Sequence, residues 1–336
     1  MLGLVHGLRN HGYEFAALSG SPEETFRLYA IHAFPRRDDK YIKEAIDACD
    51  ALVFPGGSIF QDVTSLGSVF YYEKLVSMAK HAGKKVLLLG QGVGPLSNFL
   101  SKSKTLKAFN AADGVTVRDP SALQALKELG FKRPARVTAD SAFLLPVPAP
   151  TGEGDAFNVG NMKTVGLAPR PVKDRGRDIA SLFGEFCRLL YQSGSMPVLM
   201  TMDRNEDTPL IEAISKKQGG KVPDLRRLNS PMQIQQRLAR MESVVAMRLH
   251  AGILASTVGV PSLMISYDPK VTSYARTMEM GNALSLEGLT ATRLLDSFVA
   301  FQKDLARNLK IVERKREEQM RAAEGSVEMV LQLVKG

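Results

Sequence analysis

The stretch KVLLLGQGVGP, residues 85–95, joins an apolar run to a series of closely spaced glycines and a proline. The apolar part, Lys85–Leu89, predicts a β-strand, and the glycines after it predict a loop that a ligand can approach closely. This stretch is similar to half of a dinucleotide-binding fingerprint, but Pro95 stands where the helix should begin. It therefore favours an α/β fold with a glycine loop lining a sugar or phosphate pocket, and disfavours dinucleotide binding.

The same alternation of strand and helix continues on both sides of this stretch. The other strands of the first half are predicted at Tyr13–Leu18, Ala51–Phe54, Gly114–Val117 and Ala135–Thr138, with helices at Lys40–Ala48, Val69–Ala82 and Ser121–Leu129. In the second half, strands are predicted at Thr164–Ala168, Met196–Met200, Ser243–Ala246 and Ser262–Ile265, and helices at Asp178–Gln192, Thr208–Lys217, Met232–Arg240, Leu249–Thr257 and Lys270–Met280. This alternation predicts parallel sheets covered by helices.

Residues 146–162 break the alternation, because prolines are followed there by glycines and acids without periodicity. They predict a linker between an N-terminal α/β domain, 1–145, and a C-terminal α/β domain, 163–290. Residues 291–336 predict one or two long charged helices that could cross back over the first domain. We therefore expect two Rossmann-like, doubly wound domains that face a cleft.

The net charge of +9, from 44 Lys and Arg against 35 Asp and Glu, fits nucleic acid, an anionic membrane surface or phosphorylated small substrates. Nucleic acid is disfavoured because the positive residues are dispersed and no nucleic-acid motif accompanies them. No apolar run approaches the ~20 residues of a membrane-spanning helix, and no signal peptide is visible. We expect a cytoplasmic protein. Its oligomeric state does not follow from the sequence.

Metal and disulfide chemistry are not expected. The two cysteines, Cys49 and Cys187, lie far apart in apolar helical patterns and predict buried free thiols. The five histidines show no metal-ligand spacing with cysteines or acids.

Strand ends of the first half carry several candidate substrate contacts, because ligands of such sheets bind at the carboxyl ends of strands. The paired glycines Gly56 and Gly57 could expose amide donors to a ligand or could form only a tight strand-to-helix turn. Arg118 could bind a phosphate or carboxylate through two hydrogen bonds, or pair with Asp119 at the surface. Asp140, after the next strand, could face the same cleft or cap a helix.

In the second half, Arg170 ends a predicted strand, and Arg248 and His250 lie between a strand and a helix. Two residues apart, Arg248 and His250 would share one face of an extended segment. The alternative for His250 is a buried, hydrogen-bonded side chain.

Six segments together resemble the polysaccharide pyruvyl transferase family, most closely its CsaB-like branch, which modifies bacterial secondary cell-wall polymers that serve in S-layer anchoring. They are FPGGSIFQDVTS (54–65), LLLGQGVGPL (87–96), VRDPSA (117–122), VTADSAFLL (137–145), MRLHAGILAS (247–256) and VPSLMISYDPKV (260–271). The resemblance implies a fold similar to two-domain GT-B glycosyltransferases, phosphoenolpyruvate as the donor and a lipid-linked glycan as the acceptor. A lipid-linked acceptor would allow peripheral contact of the protein with the inner face of the membrane.

The resemblance also implies roles for residues. Arg248 and His250 match the donor site, with either Arg118 or Arg170 as a second arginine, Arg118 being favoured. Lys270 lies in a segment, SYDPK, that relatives share. Lys270 and Gln91 of the glycine loop are further candidate substrate contacts.

For the mechanism we expect His250 to act as the general acid, because its ordinary pKa near 6.5 keeps a protonated fraction. Asp62 or Asp140 is the candidate base. Neither a metal nor another cofactor is expected. Two alternatives stay open: a GT-B glycosyltransferase that uses a nucleotide sugar, and a non-catalytic glycan-assembly protein.

Relatives begin with a strand and a Gly-Asn-x-Gly-Asp-Glu loop, whereas this sequence opens at Met1-Leu2-Gly3, inside what is similar to the first helix. Either the start of the sequence is misplaced, or the N-terminal domain lacks its first strand and with it part of the acceptor wall.

Overall fold

A computed structural model describes residues 1–62, 66–148, 162–172, 178–226, 228 and 230–334. The chain divides into two compact units: Met1–Pro146 together with Glu318–Gly336, and Val147–Glu317. Most of the predicted linker, residues 149–161, lies outside the described residues. Among the described helices, none is both long enough and apolar enough to cross a membrane.

The N-terminal unit alternates strands and helices. Its elements are α1 (Leu2–Leu8), β1 (Ala16–Ser19), α2 (Pro22–Tyr29), β2 (His32–Pro35), α3 (Asp39–Ala48), β3 (Ala51–Phe54), β4 (Gly57–Phe60), α4 (Leu66–His81), β5 (Lys85–Val93), α5 (Phe99–Ala111), β6 (Gly114–Val117), α6 (Pro120–Glu128), β7 (Arg136–Val137) and a 3-10 helix (Ser141–Leu144).

The main sheet of this unit is parallel, in the order β3-β5-β6-β7. β4 pairs with β5 further along, so that β3 and β4 follow one another beside the same strand. β1 and β2 form a separate parallel pair.

Both faces of β5 are buried. Val86 and Leu88 belong to the core under α4, α5 and α6, whereas Leu87 and Leu89 belong to a second core. This alternation follows from the two-residue period of a strand. Val327 and Val330, near the chain's C-terminus, complete the second core together with α1.

The C-terminal unit contains a second parallel sheet. Its elements are β8 (Lys163–Ala168), α7 (Ile179–Gln192), β9 (Ser195–Leu199), α8 (Arg204–Lys217), α9 (Pro231–Leu238), β10 (Ser243–Ala246), α10 (Leu249–Thr257), β11 (Ser262–Ser266), α11 (Pro269–Thr277), β12 (Leu284–Ser285), α12 (Ala291–Lys303) and the start of α13 (Leu305–Leu333). The last part of α13, from Glu318, belongs to the N-terminal unit.

The strand order in this sheet is β12-β11-β10-β8-β9. The chain starts at β8, adds β9 on one side, and then adds β10 and the later strands on the other side. The direction of growth therefore reverses between β8 and β10. Such a switch point leaves a crevice at the carboxyl ends of the two strands, where ligands of open α/β sheets bind.

Several sequence-based predictions of local structure were wrong. Residues 90–93 continue β5 instead of forming a loop, and Gly57 begins a strand instead of ending a turn. Helix α5 was not predicted, because its apolar positions lack a clear 3.6-residue period. β2 was not predicted either. Helix α8 begins four residues before the predicted start at Thr208, because Asp203 caps it with its carboxylate.

Candidate functional site

Two arginines flank the switch point of the C-terminal sheet. Arg170 lies two residues after the end of β8, and Arg248 lies two residues after the end of β10. β8 and β10 are hydrogen-bonded neighbours, with Ala168 opposite Ala246. Because parallel strands end at the same edge of a sheet, both arginines stand at the crevice where ligands of this class of sheet bind.

Arg248 is held by two carboxylates from the first turn of α8. Its Nε donates to Asp207 Oδ1 at 3.0 Å, and one terminal nitrogen donates both to Asp207 Oδ1 and, at 2.8 Å, to Glu206 Oε2. Burial lowers the pKa of Arg248, but the hydrogen bonds to Asp207 and Glu206 outweigh burial, and the net pKa lies above the ordinary value. Arg248 is therefore a fixed positive charge with 13% of its side chain exposed.

Asp207 gives this arrangement its rigidity. It is fully buried, and its second oxygen, Oδ2, accepts hydrogen bonds from the backbone N–H groups of Met202 and Asp203, each at 2.9 Å. The carboxylate thus joins the β9–α8 connection to Arg248. A buried carboxylate with four donors on its two oxygens is well compensated, so the position of Arg248 is set before any ligand binds.

Arg170 contacts the same acidic turn from the other side. One terminal nitrogen lies 3.9 Å from Glu206 Oε2, the oxygen that Arg248 also contacts. Another donates to the hydroxyl of Tyr267, which follows β11, and the Arg170 Cζ atom lies 4.8 Å from the centre of the Tyr267 ring. Loops after β8, β9, β10 and β11 therefore converge on two guanidinium groups.

His250 and Lys270 belong to the same unit. His250 lies in the first turn of α10, and its side chain is exposed, so the alternative of a buried histidine is wrong. No acidic residue occurs in that turn, and Arg248 at the N-cap position makes no capping hydrogen bond with its side chain. Lys270 Nζ lies 3.1 Å from Asp268, which caps α11.

In the N-terminal unit, Arg118 follows β6 and pairs with the adjacent Asp119 at 3.2 Å, with 8% of its side chain exposed. Asp119 also caps α6 by accepting from the N–H of Ala122. A Cβ atom on Gly92 would lie 2.8 Å from Arg118 Cζ and 2.6 Å from Ser58 Oγ. Glycine at position 92 therefore makes room for Arg118 and Ser58 at the carboxyl end of β5.

Gly56, Gly57 and Gln91 lie at the interruption between β3 and β4. Both glycines have positive φ angles, +115° and +100°, which other residues rarely adopt. The Gln91 side chain is fully buried and donates to the carbonyl oxygens of Phe54 and Leu89. Gln91 thereby links β3 to β5. Its buried position gives no support to the predicted contact of Gln91 with substrate.

The two candidate bases, also in this unit, differ in their surroundings. Asp62 accepts from the N–H groups of Ser97 and Asn98 ahead of α5. Desolvation raises the pKa of Asp62, but these hydrogen bonds outweigh it and the net pKa is lowered. Asp140 is largely buried and caps the 3-10 helix by accepting from the N–H of Ala142.

Glu206 and Asp207 are the site residues that sequence reasoning missed. The predicted helix began at Thr208, which left both acids in a loop without a role. Asp203, three residues after the predicted strand Met196–Met200, was the signal that could have found them, because aspartate is a preferred N-cap residue. Within the described ranges, no group of three or more His, Cys, Asp or Glu side chains is arranged to hold a metal ion.

Solved structures of low sequence identity share this fold. UDP-GlcNAc 2-epimerase from Neisseria meningitidis, solved with UDP-GlcNAc, has a TM-score of 0.63 at 10% identity, covering 99% of this chain and 96% of its own. The enzyme of the same name from Methanocaldococcus jannaschii has a TM-score of 0.62 at 10% identity, covering 100% and 96%. These similarities show the fold alone: α/β, with parallel sheets in two Rossmann-like units, and GT-B-like.

Sequence comparison gives the family. A search of curated protein sequences finds no match to this chain. The family model described as polysaccharide pyruvyl transferase matches residues 1–269, which include both arginines of the switch point, His250 and the acidic turn of α8. The chain therefore belongs to the polysaccharide pyruvyl transferase family and, with that family, is a transferase.

Proposed function

We propose that this transferase moves a pyruvyl group from phosphoenolpyruvate to a sugar of a lipid-linked cell-wall polysaccharide precursor, forming a pyruvate ketal. The C-terminal unit would bind the donor and the N-terminal unit the acceptor. The observation that carries the proposal is the pair Arg170 and Arg248 at the switch point of the C-terminal sheet, both in contact with one oxygen of Glu206. The CsaB-like branch, with its role in S-layer anchoring, is part of this proposal.

The donor suits this pair of arginines. Phosphoenolpyruvate carries a phosphate and a carboxylate on the same carbon atom, and guanidinium groups bind both through paired hydrogen bonds. Arg170 supports this role better than Arg118, because Arg170 shares Glu206 with Arg248 whereas Arg118 is paired with its neighbour Asp119. We therefore assign Arg170 and Arg248 to the donor.

His250 is the proposed general acid. Its exposed side chain stands two residues after Arg248, in the first turn of α10. Protonation of the donor's methylene carbon would turn it into a methyl group and leave the adjacent carbon cationic. A sugar hydroxyl then attacks that carbon and loses its proton. A second hydroxyl then forms the other C–O bond and passes its proton to the departing phosphate as the bond to phosphate breaks, which yields the ketal and inorganic phosphate.

Of the two candidate bases for the sugar hydroxyl, Asp140 is the one we retain. The carboxylate of Asp62 already accepts hydrogen bonds from the backbone ahead of α5, and its lowered pKa makes it a weaker base. Asp140 follows β7, in the unit that we assign to the acceptor.

The test is a phosphate-release assay with phosphoenolpyruvate and a lipid-linked N-acetylmannosamine acceptor in detergent or vesicles. We expect phosphate release that requires both substrates, and an acceptor whose mass increases by one pyruvate ketal. UDP-GlcNAc replaces phosphoenolpyruvate in a parallel reaction. Release of UDP there, with no turnover of phosphoenolpyruvate, would instead identify a nucleotide-sugar glycosyltransferase. Acceptor binding without any turnover would identify a glycan-assembly protein.

A further inference from the structure

Glu206 stands between the two arginines of the donor site but is not fixed there as Asp207 is. Its Oε2 lies 2.8 Å from Arg248 and 3.9 Å from Arg170, and its side chain is 51% exposed. Asp207, the next residue, is fully buried and is bonded to backbone N–H groups as well as to Arg248. Asp207 is therefore a permanent partner of Arg248, whereas the half-exposed Glu206 contacts both arginines.

Charge counting shows the consequence for an anionic ligand. Two arginines and two carboxylates have no net charge, and Lys270 is neutralised by Asp268 at 3.1 Å. A doubly charged anion placed against Arg170 and Arg248 would lie beside the Glu206 carboxylate and be repelled by it, because like charges at contact distance repel strongly outside bulk water. The site therefore gains positive charge only when Glu206 turns away.

We infer that Glu206 is a displaceable counter-ion that occupies, in the absence of donor, the place of one of the donor's anionic groups. It pairs with Arg170 and Arg248 while the site is empty and turns into solvent when the donor enters. This inference rests on the proposed function for the identity of the donor, but the contacts of Glu206 do not depend on that identity.

Displacing Glu206 is a cost that every anionic ligand of the two arginines meets. A ligand with two anionic groups gains a contact with each arginine, which compensates for displacing the glutamate. A ligand with one anionic group replaces the Glu206 carboxylate but gains no second contact. Discrimination between ligands is a difference between such balances, and the cost of displacing Glu206 is common to both. Neutralising Glu206 should therefore strengthen binding of both ligands by a similar factor.

The experiment compares wild type with Glu206→Gln, which has the same shape without the charge. Binding of inorganic phosphate, acetate and phosphoenolpyruvate is measured by isothermal titration calorimetry, and turnover by phosphate release. The matched control is Glu212→Gln on the same helix, which removes the charge from an exposed glutamate paired with Arg226 at 2.9 Å. Thermal unfolding of both variants checks that they are folded.

For Glu206→Gln we expect Kd for phosphate, acetate and phosphoenolpyruvate each to fall about tenfold, and kcat to change at most a few-fold. Glu212→Gln should leave all three affinities unchanged. Unchanged or weaker phosphate binding by folded Glu206→Gln would overturn the inference, and so would a collapse of kcat at constant affinity, which would make Glu206 a catalytic group. If wild type binds phosphate but not phosphoenolpyruvate, the proposed function fails while the phosphate data still decide the role of Glu206.

Discussion

Each unit of this protein presents an arginine after a parallel strand and just before a helix, and the two arginines are held in different ways. Arg118 follows β6 and pairs with Asp119, its neighbour in sequence, which also caps α6. Arg248 follows β10 and has no acidic neighbour; its partners, Glu206 and Asp207, come from the turn after β9. Pro120 lies two residues after Arg118, and the exposed His250 lies two residues after Arg248.

Arg118 is therefore paired by its neighbour in sequence, whereas Arg248 is paired by residues that only the fold brings close to it. An acid next to Arg118 neutralises it and satisfies the helix N-terminus at once, so little is left to attract an anion. The buried carboxylate of Asp207 fixes the Arg248 guanidinium, and no acidic residue occurs in the first turn of α10. The Arg248 guanidinium and the positive end of the α10 helix dipole favour an anion there. Donor binding therefore fits the C-terminal unit.

The largest expected effect concerns His250. His250→Ala should reduce pyruvyl transfer by about 10²- to 10⁴-fold, the usual contribution of a general acid, while phosphate binding by calorimetry stays within about twofold. His81→Ala, at an exposed helix end of the N-terminal unit, serves as the control and should turn over normally. Normal turnover by folded His250→Ala would remove the histidine from the chemistry.

Arg248→Lys and Arg118→Lys test the two arginines directly. A lysine keeps the charge but cannot form the paired hydrogen bonds of a guanidinium. We expect Arg248→Lys to raise KM for the donor by about 10²-fold, and Arg118→Lys to raise it at most a few-fold. Steady-state kinetics with varied phosphoenolpyruvate gives both values. A larger effect at Arg118 would reverse the assignment of donor binding to the C-terminal unit.

Asp207→Asn should affect both stability and donor binding, because it leaves Arg248 without its buried counter-charge. Removing one partner of a buried ion pair costs about 3 kcal/mol in the free energy of unfolding. Urea unfolding measures this loss, and donor titration should show weaker binding in the same variant. Wild-type stability together with wild-type affinity would show that Asp207 does not position Arg248.

Glu73 in the N-terminal unit provides the contrasting buried carboxylate. It joins α4 to α5 through Lys104 at 2.8 Å and Lys107 at 2.7 Å. Desolvation raises the pKa of Glu73, but the lysine hydrogen bonds outweigh it and the net pKa falls to about 2, below the ordinary 4.5. The carboxylate therefore stabilises the fold above about pH 5, and this contribution is lost as the pH falls toward 2.

Glu73→Gln should accordingly lower the free energy of unfolding by up to about 2 kcal/mol at pH 7 and by much less near pH 2. Unlike Asp207→Asn, it should leave donor affinity unchanged, since Glu73 holds two helices together and contacts none of the donor-site residues. Urea unfolding at both pH values and one donor titration measure these effects. An equal loss of stability at both pH values would show that packing, rather than charge, is responsible.

Much of the fold could be predicted from the sequence, because apolar runs and helical periods are local signals. β3, β6, β10 and α10 lie where the pattern predicts them, with the same bounds. The glycine-rich segments were predicted less well. Glycine permits a loop but does not require one, and residues 90–93 are held in β5 by pairing with β4 and β6, which lie far away in sequence.

Sequence by itself determined that strands and helices alternate, that arginines follow several strands, and that Arg248, Leu249 and His250 precede a helix. Only the tertiary structure decided which charges meet. Glu206 and Asp207 follow β9, Arg170 follows β8 and Arg248 follows β10, and the order β10-β8-β9 brings these strand ends together. The physical reason is that strand order depends on how the whole sheet buries its apolar residues, which no local pattern specifies. The apolar period of a strand or helix, in contrast, depends only on residues close together in sequence.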